Sequence, residues 1–468
     1  MENWEKILLR LTAVLAIGML LKFAPYSYHV SQNFRDAQTA LAEEDFQAAA
    51  ENLADAAERL PWRKDLWESA GNFAFRAEDY QLAQFAFEQA AERDTLSQEG
   101  QLALGDVYQT LGEDALAEET WTGISGSSVA LRRLATLHAQ KGNIPATITD
   151  WQNALALGQN ADETEIHYQL GLLLAAHDTV KAMPHLKASA PAYPAAQTLV
   201  ETLAEIPADA EQAYFQIVAG QTLASLNEWN LAEHAFRQAV SLREDYAEAW
   251  AYLGEALQHV EVEGGEALAA LQNALTLAPN STSANMFLGI YWQRQGKYED
   301  ALPYFEAAGE LKPELPEAYI EQARTLAALS KLPEAEEMYR KAIALAPQDA
   351  EYYRLLARFC VKYHYQVREV GLLAARQAML LDGESPASWD VMGLILFDME
   401  DEFNAERLFL RALDVDPRYA VSHLHLGMVY LYQEENSRAF YHLNQAVTFA
   451  SDPAVEEHAQ HLLGYFSP

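Results

Sequence analysis

Basic residues are scarce in this chain of 468 residues: 32 lysines and arginines stand against 68 aspartates and glutamates, a formal net charge of −36. Proteins that bind nucleic acid through its backbone need clustered cations to neutralise the phosphates, so this balance excludes nucleic acid as a partner. We interpret the acidity as a solvated outer surface that keeps the protein soluble. The alternative is that it attracts basic partners or metal cations.

Cysteine is nearly absent, and the common catalytic motifs are missing. Cys360 is the single cysteine, so no intramolecular disulfide can form, and we predict that it packs in the core. The sequence lacks the nucleophile elbow, the phosphate-binding loop and the zinc-binding helix motif of familiar enzyme families. His458 and His461 could share one helix face, but no third metal ligand is apparent. We therefore predict no enzyme activity, no cofactor and no metal.

What the chain does contain is a pattern of residue types that recurs every 34 residues, most clearly between residues 282 and 349. Small residues occupy one position: Gly254, Gly289, Ala323, Ala357, Gly393 and Gly427. Large residues occupy a second: Phe236, Leu271, Phe305, Tyr339, Phe409 and Leu443. Prolines close several units: Pro279, Pro313, Pro347 and Pro417. A small side chain lets two helices approach, a large one fills space between neighbouring pairs, and proline ends a helix, so each unit is predicted to be a helix pair.

This pattern resembles the tetratricopeptide repeat (TPR), which carries W-x2-L-G-x2-Y, then A-x3-F, then proline. In one unit these positions hold Asn285, Leu288, Gly289, Trp292, Ala301, Phe305 and Pro313. The resemblance covers almost everything after residue 29, over about eleven units. It implies an all-α TPR solenoid, a right-handed superhelix of helix-turn-helix repeats, which serves as a binding surface for other proteins.

Two places break the 34-residue register. Prolines interrupt it between residues 178 and 211, which predicts an irregular joint between two stacks. We place an N-terminal stack at residues 29–190, the joint at 191–212, a C-terminal stack at 213–453, and a capping helix with a tail at 454–468. The second break lies between Cys360 and Ala378, where about two extra residues are expected to lengthen a turn without altering the stack.

Residues 1–28 are predicted to form a transmembrane anchor. The run 7–23 is strongly apolar, with Arg10 and Lys22 near its ends. At about 1.5 Å per residue, a helix of this length can just cross a hydrocarbon core of about 30 Å. The anchor residues are Trp4, Ile7, Leu11, Leu15, Leu20, Leu21 and Phe23. The rival interpretations are a cleaved signal peptide, although no small-residue cleavage site follows the run, and a buried or interfacial helix.

The charges that flank this anchor are only a weak indication of its orientation in the membrane. Lys6 and Arg10 precede the apolar centre and Lys22 and Arg35 follow it, so the positive charges are nearly balanced. The usual behaviour of an N-terminal anchor favours a single-pass membrane protein with its repeats on the extracytoplasmic side.

Five cations are predicted to line the concave surface. In the TPR family that surface is formed by recurring positions of the first helix of each unit, which here hold Arg294, Arg324, Arg354, Arg358 and Lys362. Guanidinium groups form paired, charge-assisted hydrogen bonds with carboxylates, so the expected ligand is an acidic segment or a chain terminus of a protein partner. The alternative is that these cations pair with nearby Glu317, Glu321 and Glu351.

Towards the C-terminus the same positions become apolar. They hold Leu394, Phe397, Leu424, Met428, Leu431 and Tyr432. These residues form either a trough for a hydrophobic segment or a core covered by the closing helix. We favour the core for Leu424 and Met428, and partner contact for Phe397 and Tyr432.

The sequence thus predicts a membrane-tethered TPR scaffold that binds a protein partner through its concave groove within a cell-envelope assembly. One alternative is a non-catalytic regulatory or recruiting subunit of an envelope polysaccharide or cell-wall enzyme complex. A weaker alternative is an extracytoplasmic ligand-binding protein. No oligomeric state is predicted.

Overall fold

The computed structural model describes residues 28–63, 65–93, 96–158, 163–207, 209–260 and 265–464. Within these ranges the chain forms 26 α-helices and one π-helical turn, and no β-strand occurs among them. The expectation of an all-α fold built from helix pairs is therefore confirmed.

The helices are short and follow one another at close intervals. The first eleven are α1 (Tyr28–Ala42), α2 (Phe46–Arg59), α3 (Asp65–Arg76), α4 (Tyr80–Arg93), α5 (Gln98–Thr110), α6 (Asp114–Thr122), α7 (Ser128–Gln140), α8 (Ile144–Ala156), α9 (Glu163–His177), α10 (Thr179–Ser189) and α11 (Pro194–Ala204). Next come α12 (Gln212–Ser225), α13 (Trp229–Leu242), α14 (Ala247–Val260), α15 (Glu266–Leu277), α16 (Thr282–Arg294), α17 (Tyr298–Leu311), α18 (Pro316–Ala328) and α19 (Leu332–Leu345). The last are α20 (Ala350–Lys362), the π-helical turn (Val367–Gly371), α21 (Leu372–Leu381), α22 (Pro386–Asp398), α23 (Glu402–Val415), α24 (Ala420–Tyr432), α25 (Asn436–Phe449) and α26 (Pro453–Leu463).

Consecutive helices pair into hairpins, from α1–α2 to α9–α10 and from α12–α13 to α24–α25. The chain divides into two compact units: unit 1 runs up to Glu201 and unit 2 begins at Thr202. This boundary falls within α11, so the stretch expected to be an irregular joint contains a regular helix. The predicted domain limits themselves stay a prediction.

Close helix crossing explains the small residue in each unit. A Cβ atom added to Gly289 would lie 2.5 Å from Cε1 of Phe305, too close for any real contact. Gly393 stands in the same relation to Phe409, at 2.7 Å. Both rings are fully buried, so each large side chain of a second helix packs against the first helix of its own hairpin. The sequence had suggested that it fills space between neighbouring hairpins.

Left-handed backbone conformations mark the turn inside the hairpins. The residues that adopt them in successive turns include Glu44 (φ 59°), Glu78 (φ 60°), Ser330 (φ 62°), Glu400 (φ 61°) and Glu434 (φ 61°). The residue after each of them donates its backbone N–H to a carbonyl in the last turn of the first helix, as in the 2.9 Å bond from Lys331 to Leu326. This bond reverses the chain within three residues, at the expense of backbone strain.

The two extra residues between Cys360 and Ala378 are divided between two elements. The turn at 363–366 has four residues, against three in the turn at 329–331. The other extra residue is absorbed by the π-helical turn, which places Val370 and Gly371 in the core beside Cys360. The predicted lengthening of the loop therefore accounts for one of the two extra residues, and the π-helical turn accounts for the other. Cys360 is fully buried, as predicted.

Among the described residues, no helix combines the length and the apolar character needed to cross a bilayer. The predicted anchor at residues 1–28 lies outside the described residues, except for Tyr28, where α1 begins.

Candidate partner-binding groove

A groove of about 860 Å³ runs along unit 2, and we call it the cationic groove. Its charged and titratable lining residues are Arg324, Arg358, Lys362, His425 and His458, with Tyr298, Tyr339 and Tyr363. No aspartate or glutamate occurs among the described residues that line it, although the chain contains 68 acidic residues. The groove is therefore a local concentration of positive charge in a strongly acidic protein.

The repeat spacing explains why these side chains converge. Arg324 on α18 and Arg358 on α20 are 34 residues apart, so they occupy the same position in successive first helices. Leu394 on α22 follows 36 residues after Arg358, because the intervening hairpin contains two extra residues. The groove continues along α24 through His425 and ends at His458 on α26. One face of the stacked first helices thus carries most of the lining.

The three cations of the groove differ in how far their charge is already satisfied. Arg324 donates to Oε1 of Glu321 at 2.7 Å, and Arg358 lies 3.6 Å from Oε1 of Glu351. In the described part of the chain no carboxylate pairs with Lys362, whose Nζ lies 5.5 Å from the centre of the Tyr363 ring. Lys362 and Arg358 are therefore the cations most available to an incoming carboxylate.

Two of the five predicted cations do not line the cationic groove. The Arg354 side chain is only 11% exposed and donates to Glu351 at 2.7 Å, Asp382 at 3.1 Å and Ser388 at 3.0 Å. Its hydrogen bond to Ser388 links α20 to the following hairpin, so Arg354 has a structural role. Arg294 donates to Gln258 at 3.0 Å and to Glu255 at 3.3 Å on α14. The structure thus brings together Arg324, Arg358 and Lys362.

Some of the predicted cations do pair with neighbouring glutamates, as in the alternative interpretation. Glu321 holds Arg324, and Glu351 contacts both Arg354 and Arg358. Glu317 instead accepts a hydrogen bond from the Tyr352 hydroxyl at 3.1 Å. Ion pairs of exposed cations, here Arg324 and Arg358, contribute little to stability, roughly 0–1 kcal/mol, so a ligand carboxylate can compete for these two arginines.

A second space of about 510 Å³ opens from the cationic groove, and we call it the aromatic branch. The two spaces share Val361, Lys362, Leu394 and Met428. Phe397 and Tyr432, both predicted contact residues, lie in the branch with ring centres 6.1 Å apart in an edge-to-face arrangement. Tyr432 is 65% exposed, so a large apolar surface faces solvent here.

The closing helix α26 covers the neighbouring apolar residues. Leu424 is buried and forms a cluster with Leu443, Ala446 and Ala459, against which Met428 packs. The core interpretation of Leu424 is therefore correct. Met428 is half-buried and also lines both spaces, so it belongs to core and groove alike.

A buried carboxylate that sequence reasoning missed orients His425. Asp390 is fully buried, and its Oδ1 lies 2.9 Å from Nδ1 of His425 and accepts a 2.7 Å hydrogen bond from the Ser422 hydroxyl. An acceptor at Nδ1 places the proton of neutral His425 there. Asp390 stands 32 and 35 residues before its two partners, so a search for polar residues one repeat apart would have found this set.

His458 enters the groove from α26, which lies outside the repeat register and so was not predicted to contribute. Partial burial, together with His425 and His461 nearby, lowers the pKa of His458 below its ordinary value of 6.5. His458 is therefore neutral at pH 7 and adds no charge to the two arginines and Lys362. No group of three or more potential metal ligands occurs among the described residues.

Comparison with known proteins identifies the repeats. Residues 217–259, 264–316 and 293–359 match family models described as tetratricopeptide repeat. Residues 217–359 of the chain therefore carry tetratricopeptide repeats, and this range includes Arg324 and Arg358 of the groove. Repeats of this family are typically non-catalytic scaffolds for protein–protein interaction.

Two curated relatives align with part of the chain. The protein O-mannosyl-transferase Tmtc1 of Drosophila melanogaster is 32% identical over 110 residues, which is 23% of this chain and 13% of the relative. The human protein O-mannosyl-transferase TMTC3 is 22% identical over 211 residues, 42% of this chain and 23% of the relative. The chain thus spans less than a quarter of the length of either relative.

Solved structures resemble the chain at low sequence identity. Yeast Tom70 is 15% identical with a TM-score of 0.44, and covers 93% of this chain and 95% of its own. A tetratricopeptide repeat protein from Parabacteroides merdae is 16% identical with a TM-score of 0.44, and covers 54% of this chain and 99% of its own. At these TM-scores the likeness bears on neither partners nor function.

Proposed function

We propose that the protein is a scaffold that holds an acidic segment of a protein partner in the cationic groove of unit 2. The observation that carries this proposal is the absence of carboxylates from the described groove lining, beside three cations, in a protein of net charge −36. Repulsion from the acidic outer surface makes other docking positions unfavourable for such a ligand. Arg358 and Lys362 are the cations that bind it.

The test is binding of labelled peptides to the full chain, followed by fluorescence polarisation. An acidic peptide is expected to bind, and its asparagine and glutamine counterpart is expected not to. Replacing Arg358 and Lys362 with glutamate should weaken binding at least tenfold, because hydrogen bonds to a charged group contribute about 1.5–3 kcal/mol. Raising the salt concentration should weaken binding in the wild type.

Arg368 and Arg376 provide the matched control, since both are exposed on the second-helix side of the same hairpin and line neither space. Their double replacement with glutamate changes the net charge by the same amount and should leave affinity within about twofold. Equal affinity of both double variants, each with an unchanged melting curve, would refute the proposal.

Membrane tethering is the second part of the proposal. Its support is the apolar run 7–23 with its flanking aromatics. The usual behaviour of an N-terminal anchor favours repeats on the extracytoplasmic side, and we propose that they act there within a cell-envelope assembly. Protease added to intact cells should then digest the repeats. Digestion only after the cells are opened would contradict this orientation.

A second candidate function is a non-catalytic subunit that recruits an envelope polysaccharide or cell-wall enzyme. It is favoured by the two relatives named as O-mannosyl-transferases, whose shared segments are 13% and 23% of their length. Purification from native membranes should recover a glycosyltransferase in stoichiometric amount under this hypothesis. Recovery of a partner without enzyme activity would favour the plain scaffold.

A further inference from the structure

Building on that proposed function, we propose that the groove selects a ligand segment with a set order of side chains: acidic residues first, then a large apolar residue, then a basic residue. The acidic residues bind Arg358 and Lys362, the apolar one enters the aromatic branch between Phe397 and Tyr432, and the basic one meets Glu400 and Glu402. This order distinguishes the ligand from acidic segments in general.

The continuity of the two spaces is the first support. Lys362 and Leu394 line both the cationic groove and the aromatic branch, so one extended chain can pass from one to the other without crossing a barrier. Lys362 stands at the junction, with cations on one side and aromatic rings on the other. A ligand that begins in the groove is thereby led towards Phe397 and Tyr432.

The change of charge along this path is the second support. The cationic groove has no carboxylate in its described lining, whereas the aromatic branch is bordered by Asp398, Glu400 and Glu402. Asp398 is held by His364, with Oδ1 and Nδ1 2.8 Å apart. Among the described residues no cation contacts Glu400 or Glu402, so these two carboxylates remain available. Charge complementarity therefore requires a reversal of sign along the ligand.

The separation of the sites sets the spacing in the ligand. Neighbouring packed helices lie about 10 Å apart, and the path from α20 to the rings on α22 and α24 crosses one or two such intervals. An extended peptide advances about 3.3 Å per residue. Roughly three to six residues should therefore separate the acidic block from the apolar side chain.

A peptide series on the full chain tests this order. The first peptide carries an acidic block alone, the second adds phenylalanine at the stated spacing, and the third adds lysine beyond it. A fourth exchanges the phenylalanine and the lysine, and all are made in both chain directions. In one direction, phenylalanine should tighten binding roughly tenfold, and lysine a further two- to threefold at low salt. The exchanged peptide should lose the gain from phenylalanine.

Variants assign each gain to its residues. Tyr432→Ala should abolish the gain from phenylalanine and leave the affinity of the acidic block unchanged. Tyr441→Ala is the control, because Tyr441 is similarly exposed, at 57%, and does not line the branch. Glu400→Gln should abolish the gain from lysine, while Glu434→Gln, at the equivalent turn position one hairpin later, should not.

The outcomes separate the two proposals. Failure of the acidic block to bind would refute the proposed function itself. Binding of the acidic block with no gain from phenylalanine in either direction, or a gain that survives Tyr432→Ala, would refute the ordered ligand alone. A concentration-dependent dimer that Tyr432→Ala abolishes, without any gain from phenylalanine, would also overturn it and assign the branch to a second copy of the chain.

Discussion

At the scale of single residues, the buried His423 and the half-buried His442 make the stability of unit 2 depend on pH. Nδ1 of His423 and Nδ1 of His442 are 2.9 Å apart, and Nε2 of His423 lies 3.2 Å from the Pro417 carbonyl. His423 must donate from Nε2 to that carbonyl, so its Nδ1 accepts the proton of His442. Burial, and then the neighbouring His423, lowers the pKa of His442 to about 4, and Arg438 acts in the same direction.

We expect unit 2 to lose stability as the pH falls from about 6.5 towards 4. In this window His442 is neutral in the folded protein, whereas the unfolded chain takes up a proton near pH 6.5, so acid favours unfolding. Urea unfolding of wild type and His442→Gln at pH 7, 6 and 5 measures the effect. The free energy of unfolding should fall less steeply with acidification in the variant, and identical slopes would contradict this assignment.

At the scale of helices and hairpins, stability depends on the crossing point between the two helices of a repeat. Gly289 lies directly beneath the Phe305 ring, and both helices are built around that close approach. Where a repeat has alanine at this position, as at Ala323 opposite Tyr339, the hairpin already accommodates one methyl group. A branched side chain at this position is too large both for a repeat with glycine and for a repeat with alanine.

Gly289→Val is expected to destabilise unit 2 by about 2–3 kcal/mol, because the added atoms must displace the buried Phe305 ring. The matched control is Ala344→Val on the exposed face of α19, where the loss should stay below about 0.7 kcal/mol of helix propensity. Denaturant melts of both variants give the comparison. A loss at Gly289 no larger than at Ala344 would show that the ring has room to move.

The hairpins were predictable because their signals are local and repeated. Proline follows two residues after the end of α15, α17, α19 and α23, as the sequence indicated. The π-helical turn was not predictable, since a longer loop and a helical bulge differ little in local energy. The choice depends on packing of Gly371 against Cys360 and Ile395, which are distant in sequence.

For the groove, too, the features set by the repeat were predictable and those set by packing between distant residues were not. The repeat register placed Arg324, Arg358 and Lys362 on one face, because residues one period apart share an environment. It could not reveal that Arg354 is enclosed by Asp382, at the end of α21, and by Ser388 of the next hairpin. Partners 28 to 39 residues away decide whether a cation of this surface is free.

At the scale of the whole molecule, two compact units with cores of their own make stepwise unfolding the expected behaviour. Repeat stacks are stabilised by contacts between neighbouring hairpins, so a local defect acts first on its own stack. Cys360 is a convenient probe of unit 2, because it is the single cysteine and fully buried. Burial, and then nearby Glu336, raises the pKa of its thiol to about 12, so it reacts slowly while folded.

Gly71→Val should destabilise unit 1 by about 2–3 kcal/mol, since an added Cβ would lie 2.8 Å from the Phe87 ring. Labelling of Cys360 by a thiol reagent in rising urea then reports on unit 2 alone. We expect the labelling midpoint to stay where it is in wild type, while loss of helical signal begins at lower urea. A labelling midpoint that shifts by the same amount would mean that both units unfold together.

The left-handed turns leave this array with room for evolutionary adjustment. Each glutamate held at positive φ costs roughly 1 kcal/mol that glycine would not. Glu44, Glu78 and Glu434 recur at the same point of separate hairpins and line neither the cationic groove nor the aromatic branch. Exchanges at these corners would alter thermal tolerance in small independent steps and leave every helix interface untouched. A lineage of such proteins could thus adapt to heat or cold without changing which ligand its inner surface binds.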